Sequence, residues 1–473
     1  MKDSRTPRGT AASGTCETPT DLKRVLGLPT AILLVAGIMI GSGVFKKIVP
    51  MAQTLPSQEL ILFAWIAAGV ITMFGAFTYA GLSTLTTESG GIYEYLRLIY
   101  GDLVSFLFGW SVFTIFGSGA LAALSFVFAQ SVNTLIPLPF GGWGIKILAV
   151  LTIAVLTWWN IRGIRRGGIL NNIVTSAKIA GILALIISAL LFSRTAAAHA
   201  LWAPASGLAS DPAGAAAAGL SQISGTGWIS GFIGAMLSAL WAYDGWANIT
   251  YITGEITNPR RNVPYAILGG VSIAMALYVL LNYGYMRVMP VSQLSRLGTD
   301  QIAAAEVAGV LMGKTGTVTI SALIMACTFS ALNGCLITYA RVYFRMAQEN
   351  VFFKPVGKVH PTTRTPHISL IYSAIASMVL VCSGTFDQIT NLIVFASYGY
   401  FGITAFGLVR MKMKGRITSK VIGYPVIPWV IILFCATLMI NTIVTQPRQS
   451  AIGLLLILSG VPFYLYFKRR VRG

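Results

Sequence analysis

Charge is what this sequence has least of. Only 10% of its 473 residues are Asp, Glu, Lys or Arg, against roughly a quarter in soluble domains, so most of the chain is excluded from a water-soluble fold. Histidine is almost missing: His199, His360 and His367 are the three in the chain. One falls in an expected outside loop and two in a connection between apolar runs. With no metal quartet and no phosphate-cradling Gly-Lys loop, hydrolytic and redox chemistry have no constellation to work with, and neither a cofactor nor a metal is expected. The reading is therefore not an enzyme. Cysteine is sparse too. Cys16 lies in the polar N-terminal stretch, and Cys327, Cys335, Cys382 and Cys435 lie in apolar runs. None falls in an expected outside loop, which excludes a disulfide framework. The first 27 residues contain no apolar stretch and no small-residue cleavage site, so no cleavable signal peptide is expected.

What the chain has in quantity is apolar length. Hydrophobic residues make up 55% and the mean hydropathy is +0.74. A helical span of a bilayer needs about 20 such residues. Twelve apolar runs can be marked, at roughly 28–54, 59–85, 102–136, 143–161, 169–193, 229–256, 264–289, 315–347, 367–384, 387–410, 422–444 and 450–467. The fold class expected is an all-α membrane protein of 12 transmembrane helices.

The formal charge of +20 invites a nucleic-acid partner, but its placement argues against one. An even number of spans puts both termini on one side. With the N-terminus inside, 25 of the 34 Lys and Arg fall on inside segments and eight outside, leaving Lys178 within a span. That asymmetry is the positive-inside bias. It accounts for the basic character through a lipid bilayer alone, with no nucleic acid, and it predicts cytoplasmic termini.

Two runs are interrupted in the middle, by Gly41-Ser42-Gly43 in the first and Tyr243-Asp244-Gly245-Trp246 in the sixth. Unwound backbone at membrane depth is tolerated where it lines a protein-enclosed cavity. Breaks at matching positions of two halves point to a transporter built of five-plus-five inverted repeats. The competing explanation is that glycine merely packs helices closely. Unwinding at Gly41–Gly43 frees peptide N–H groups at the start of a half-helix, where the dipole is positive and suits a carboxylate. Ser42 adds a hydroxyl, unless that hydroxyl bonds its own helix. The carbonyl ends near Met39, Trp241 and Asp244 suit an ammonium. A site with both poles fits an α-amino acid. Trp241, Tyr243 and Trp246 read either as core aromatics or, for Trp241, as a cover over the ligand. Asp244 is the acid placed mid-span, or a cap on unwound N–H groups.

Lys178 lies nine residues in from Ile169, roughly 13 Å along a helix. A membrane boundary nearer Ile173 would halve that depth and let the side chain snorkel. Elsewhere, Pro56-Ser57-Gln58-Glu59 is a helix start with Glu59 as a first-turn dipole partner. Segment 86–101 holds a short helix, 194–228 is an Ala/Gly/Ser-rich outside loop, and Thr299–Leu311 predicts a surface helix.

Gly37-Ile38-Met39-Ile40-Gly41-Ser42-Gly43-Val44-Phe45 resembles the first-helix motif of the amino acid–polyamine–organocation superfamily. Trp241 to Trp246, Gly254-Glu255-Ile256, Asn258 to Pro264 and Leu332-Asn333-Gly334 with Arg341 resemble its L-type amino acid transporter branch, here of the free-standing bacterial alanine/serine/cysteine-exchanger kind. The resemblance covers nearly the whole chain. It implies a leucine-transporter-like fold of ten core helices plus two. The expected organisation is a cytosolic tail (1–27), a first inverted repeat (28–193), an extracellular loop (194–228), a second repeat (229–412), and the last two spans with a cytosolic C-terminus (413–473).

The resemblance also implies a substrate-binding set of Met39, Gly41, Ser42, Gly43, Trp241, Ala242 and Asp244, with Trp241 as gate. Lys178 matches a fifth-span lysine that stands where sodium-coupled relatives hold a sodium ion. The implied activity is sodium-independent exchange of neutral L-amino acids in the inner membrane. The alternatives are a proton-coupled or basic amino acid/polyamine transporter and a non-transporting membrane sensor. Three features depart from the branch: Ala247 where animal members often carry asparagine, Cys335 where relatives often carry serine, and Pro137 to Gly142 without the cysteine that links a heavy chain. No disulfide-linked heavy chain is expected.

Overall fold

The computed structural model describes residues 24–192, 227–298, 301–383 and 386–472. The tail before residue 24 lies outside them, as do Cys16, His199 and the expected loop 194–228 except its last two residues. The first apolar run divides into α1 (Leu28–Met39), α2 (Gly43–Lys46) and α3 (Ile48–Thr54), followed by α4 (Gln58–Leu82) and the short α5 (Ile92–Tyr100). The third run is α6 (Asp102–Ser111) and α7 (Gly117–Leu135), joined by a π turn at Val112–Phe116. Then come α8 (Gly142–Ile161) and α9 (Ile164–Phe192). The sixth run is α10 (Gly227–Tyr243) and a 3-10 arm (Trp246–Glu255). The remainder is α11 (Pro259–Val288), α12 (Val291–Leu294), α13 (Ala303–Gln348), α14 (His367–Ser383), α15 (Phe386–Met413), α16 (Val426–Thr445), α17 (Pro447–Leu458) and α18 (Gly460–Arg472).

Taking α1 with α2, α6 with α7 and α17 with α18, ten of these are long and apolar enough to cross a bilayer, and His367–Cys382 is a shorter apolar helix. Together with α10 and its arm they account for the twelve runs. The described residues form no strand, only an isolated bridge between Leu26 and Ile256.

Local signals set the helix ends. The Ser57 hydroxyl accepts from Leu60 N–H at 3.3 Å, with Glu59 in the first turn of α4, so the positive end of the helix meets both an acceptor and an acid. Asn258 takes the left-handed conformation before Pro259 at the first turn of α11, where the missing N–H costs nothing. The expected surface helix after residue 299 differs in one respect. Its described part begins at Ala303 and is packed inward, with Ala303, Ala304, Val307 and Ala308 buried. Only a reversal at Gly313 (φ 61°) separates it from the rest of α13.

Burial divides the helices into centre and rim. In the most apolar stretch of the first span 72% of residues are buried, against 28% for each of the last two spans. The last two therefore coat the bundle. At the centre, α1 lies against α11, α9 and α13, while α13 packs along α7 and α9. Polar side chains stitch this centre where lipid offers no partner. The Asn160 amide donates to Asn333 Oδ1 at 2.7 Å, and Asn333 donates to the Gly167 carbonyl at 3.3 Å. Thr175 and Ser330 hydroxyls meet at 3.1 Å, and Ser330 donates to Asn171 Oδ1 at 3.3 Å. The ladder fixes α9 and α8 against α13.

At one end of the bundle, Arg97 on α5 and Arg345 on α13 hold Glu94 and Glu349 between them, at 2.8 to 3.3 Å. Hydrogen bonds that Arg97 donates to the Glu94 carboxylate are the main reason that its guanidinium stays protonated above even the usual arginine range. This end is called the Glu255 face below, because the arm terminates there.

Replacing Asn333 by Ala is expected to lower stability by about 1–2 kcal/mol, because interhelical hydrogen bonds in membranes are worth that much or less. Thermal unfolding of the purified protein in detergent checks this; an unchanged midpoint would mean the ladder carries no net stability.

Candidate functional site

Both expected breaks are present. α1 ends at Met39, and Ile40, Gly41 and Ser42 pass through non-helical or bent backbone before α2 begins at Gly43. The second break turns on Gly245 at φ 97°, a conformation open to glycine and strained for residues with a Cβ. The two breaks touch. A Cβ on Gly43 would lie 2.6 Å from the Ala242 Cα, so glycine is what lets the first and sixth segments cross here.

A broken helix leaves carbonyls without partners, and two side chains from other helices answer them. Lys178 on α9 is 0% exposed, and its Nζ donates to the Gly37 carbonyl at 2.6 Å and the Ile40 carbonyl at 2.9 Å. The snorkelling alternative is thereby overturned. α9 begins at Ile164, which sets Lys178 about 21 Å along the helix, and the ammonium turns inward to α1. Tyr278 on α11 was missed by sequence reasoning. Its hydroxyl lies 2.6 Å from the Met39 carbonyl and 2.9 Å from the Ala242 carbonyl, sharing one proton between the ends of both half-helices. The Trp65 ring meets Tyr243 and Tyr278 edge-on, and the Tyr243 hydroxyl donates to the Trp65 carbonyl at 3.2 Å.

Between the breaks is a cavity of about 30 Å³, room for about two waters by the usual minimum volume per water. Of the expected set, Met39, Gly41, Ser42, Gly43, Trp241 and Asp244 line it. Ala242 does not; it packs on Gly43 and gives its carbonyl to Tyr278. Lys178 stands behind the wall, holding α1 rather than facing the space. Met39 contributes its surface, but its carbonyl already accepts from Tyr278 and from the Gly41 N–H at 2.7 Å, which uses both lone pairs. The rest of the wall comes from neighbouring helices: Ala120 and Leu124 on α7, Cys335 and Tyr339 on α13, with Ile38 and Gly245 beside the breaks. Nothing in the linear pattern marks Ala120, Leu124 or Tyr339, which become neighbours only when α7 and α13 pack together, whereas Ile38 and Gly245 belong to the two breaks and Cys335 stood out only as a departure from the branch.

Two wall atoms have polar capacity to spare. The Ser42 hydroxyl is buried and has no hydrogen-bond partner among the described residues, which removes the reading that it bonds its own helix. Asp244 lies against the Gly245 backbone, and no ion pair forms to it among the described residues. Trp241, 8% exposed, closes one side. No group of His, Cys, Asp and Glu able to hold a metal occurs among the described residues. The space is thus lined by an unpartnered hydroxyl with the non-helical backbone at Ser42 and Gly43, and by a carboxylate on the second break.

Comparison with known proteins bears on what enters such a space. The amino acid permease family model matches residues 26–466. The serine/threonine exchanger SteT of Bacillus subtilis (strain 168) is 28% identical over 457 residues, covering 95% of this chain and 98% of that protein. The b(0,+)-type amino acid transporter 1 of Mus musculus is 29% identical over 456 residues, 95% of this chain and 88% of its own. The large neutral amino acids transporter small subunit 2 of the same species is 27% identical over 446 residues, 94% and 81% respectively.

Tyr278→Phe removes one hydroxyl from two buried carbonyls. The expected outcome is a stability loss of about 1–3 kcal/mol, the usual cost of an unsatisfied buried group, read by thermal unfolding in detergent. A wild-type midpoint would show that the Gly41 N–H suffices for Met39 and that another donor serves Ala242.

Proposed function

This chain belongs to the amino acid permease family, as a multi-pass membrane transporter of amino acids and not an enzyme, and within that family we propose that it is a sodium-independent exchanger of neutral L-amino acids. The observation that carries the reading is a pair of polar groups lining one cavity: the Ser42 hydroxyl, without a hydrogen-bond partner among the described residues, and the Asp244 carboxylate, which forms no ion pair among them. The carboxylate of a substrate takes the Ser42 hydroxyl and the peptide N–H groups at Ser42 and Gly43, the Gly41 N–H being held by the Met39 carbonyl. Its ammonium takes the sixth-segment side, because the Met39 carbonyl is engaged by Tyr278 and Gly41. The cavity of about 30 Å³ is a contracted state, and Trp241 is the gate that moves to widen it.

The same geometry supports sodium independence. The Lys178 ammonium donates to two α1 carbonyls, where a free cation would otherwise be needed to neutralise the carbonyl ends. A tethered charge cannot leave with the substrate, so its binding energy is not coupled to an ion gradient. That supports exchange of one amino acid for another, with no sodium ion carried along. In the proposed arrangement, 28–193 and 229–412 are inverted repeats, and the basic segments, both termini among them, face the cytoplasm across the inner membrane. No heavy chain is attached by disulfide, since Pro137 to Gly142 contains no cysteine.

Asp244 favours a second reading, transport of basic amino acids. A cavity-lining carboxylate without an ion pair would pair with a cationic side chain and make it the preferred cargo.

In proteoliposomes, unlabelled neutral amino acids are expected to accelerate efflux of a labelled one equally with and without sodium. Preference for Lys or Arg in the competition panel would select the second reading, and no acceleration by any amino acid would sink both. Lys178→Ala is expected to abolish exchange; unchanged uptake would remove the sodium-substitute role. For Ser42→Ala the expected change is a KM raised about 10- to 100-fold, the value of a hydrogen bond to a charged group. A wild-type KM would put the carboxylate elsewhere.

A further inference from the structure

On the rim, α8 and α14 lie side by side in opposite directions and are tied at both ends. At one end the Lys146 ammonium donates to the Cys382 carbonyl at 3.0 Å. At the other, the Thr365 hydroxyl, just before α14, donates to the Ile161 carbonyl at 2.9 Å. These ties set the register, which levels Leu151 with Ile375 and Val155 with Ile371. Ile147, Leu151 and Val155 recur at every fourth residue of α8, as do Ile371, Ile375 and Val379 on α14. All six are exposed, by 39 to 62%. Both helices pack on α7 with their other sides, so the two apolar stripes open together on the outer surface.

Tryptophans bracket this surface. Trp143 and Trp158, at opposite ends of α8, are both exposed and about 22 Å apart along the helix, which places one toward each edge of the hydrocarbon layer. The cations at the two ends are used differently. Lys146 stands over the Trp143 ring at 5.1 Å, but its ammonium is committed to Cys382. The other end is on the Glu255 face, since Leu26, bridged to Ile256, lies beside Gly168 near the start of α9. There the Arg162 guanidinium lies 3.5 Å from the centre of the Trp158 ring. The ring covers one face of the guanidinium, and the N–H groups in its plane stay available. Among the described residues no carboxylate or carbonyl takes them.

Lys358 joins Arg162 from the connection before α14. The His360 N–H donates to the Thr365 carbonyl at 2.8 Å, which folds this connection back on the residue tied to Ile161, and the Lys358 charge reaches His367. These segments carry no acid of their own. The chain has no Asp or Glu between Asp102 and Asp211, nor between Glu349 and Asp387, and Glu349 is held by Arg97 and Arg345.

We propose that the seam of α8 and α14 is a site for an anionic phospholipid, with its phosphate on Arg162 and Lys358 and its acyl chain along the paired apolar stripes. Charge complementarity selects the class. A zwitterionic headgroup brings its own cation to a place that already holds two. A second copy of this chain would bring the same two cations and be repelled. A soluble anion would leave the stripes uncovered. The bound lipid spans the seam of two helices that lean on α7, whose Ala120 and Leu124 line the cavity, so it braces the frame behind the site whatever the cargo.

The full-length protein, purified in detergent and stripped of lipid, is titrated with phosphatidylglycerol or phosphatidylcholine of identical chains. Bound lipid is counted by native mass spectrometry. The wild type is expected to bind phosphatidylglycerol about tenfold or more tightly, the scale set by two cations near a lipid surface. Arg162→Gln/Lys358→Gln, both at exposed side chains, is expected to bring the two affinities within about twofold of each other. Lys414→Gln/Arg416→Gln removes the same charge from the exposed connection after α15 and is expected to keep the wild-type preference. An equal loss in that control would mean diffuse attraction and overturn the site, as would an unchanged preference in the Arg162/Lys358 variant. Glycerol 3-phosphate at the lipid's own concentration is expected to leave the lipid bound; equal competition would assign the cations to a soluble anion and overturn the lipid. A dimer appearing in place of bound lipid would give the face to a second copy, with the same consequence.

Discussion

A peptide group without a helical partner cannot be left bare at bilayer depth, and this constraint organises the whole molecule. Breaking two helices at the centre creates orphan carbonyls at Gly37, Met39, Ile40 and Ala242. Water is not there to take them, so the protein supplies Lys178 from α9 and Tyr278 from α11. Those two side chains decide which helices must surround the first span. They also leave a remainder: once the carbonyl ends are answered, the Ser42 hydroxyl is still unpartnered. An unanswered polar group beside a cavity is where a polar ligand gains most, because binding ends a penalty and adds a contact at once.

The same economy governs how the helices are held together. Asparagine and hydroxyl ladders clamp α8 and α9 to α13, and interdigitated arginines and glutamates clamp α5 to its end. The α1 entrance and the arm are joined to each other by main chain, and to the surrounding helices by the Glu255–Arg341 pair, by Asn172 on Thr30 and by ring contacts of Trp246 and Tyr251. Charge placed in a dry interior costs stability that hydrophobic packing would not, and breaking such a pair costs more still.

The cavity wall is mixed in a way that suits a compact amphipathic solute. Ala120, Leu124 and Ile38 give apolar surface, while Cys335 and Tyr339 give polarisable and polar edges. Chemistry is not performed on the ligand here. The wall carries binding groups without a nucleophile–base arrangement, in keeping with relatives that are transporters.

Much of this was legible in the residues themselves. Apolar length determined the twelve helical runs, because a bilayer admits few alternatives to a helix, and glycine with serine or aspartate in mid-run marked both breaks. Those are local properties: each follows from a residue's own backbone freedom or transfer energy. Tyr278, Ala120, Leu124 and Tyr339 read as ordinary span residues and Cys335 only as a departure from the branch, and packing brought them to the site. The two readings of Lys178 could not be separated by counting along the chain. Depth in a sequence does not say which way a side chain turns, and the carbonyls that turn it inward belong to a helix about 140 residues earlier, a distance across which, as between all partners of a fold, the linear pattern carries no direction.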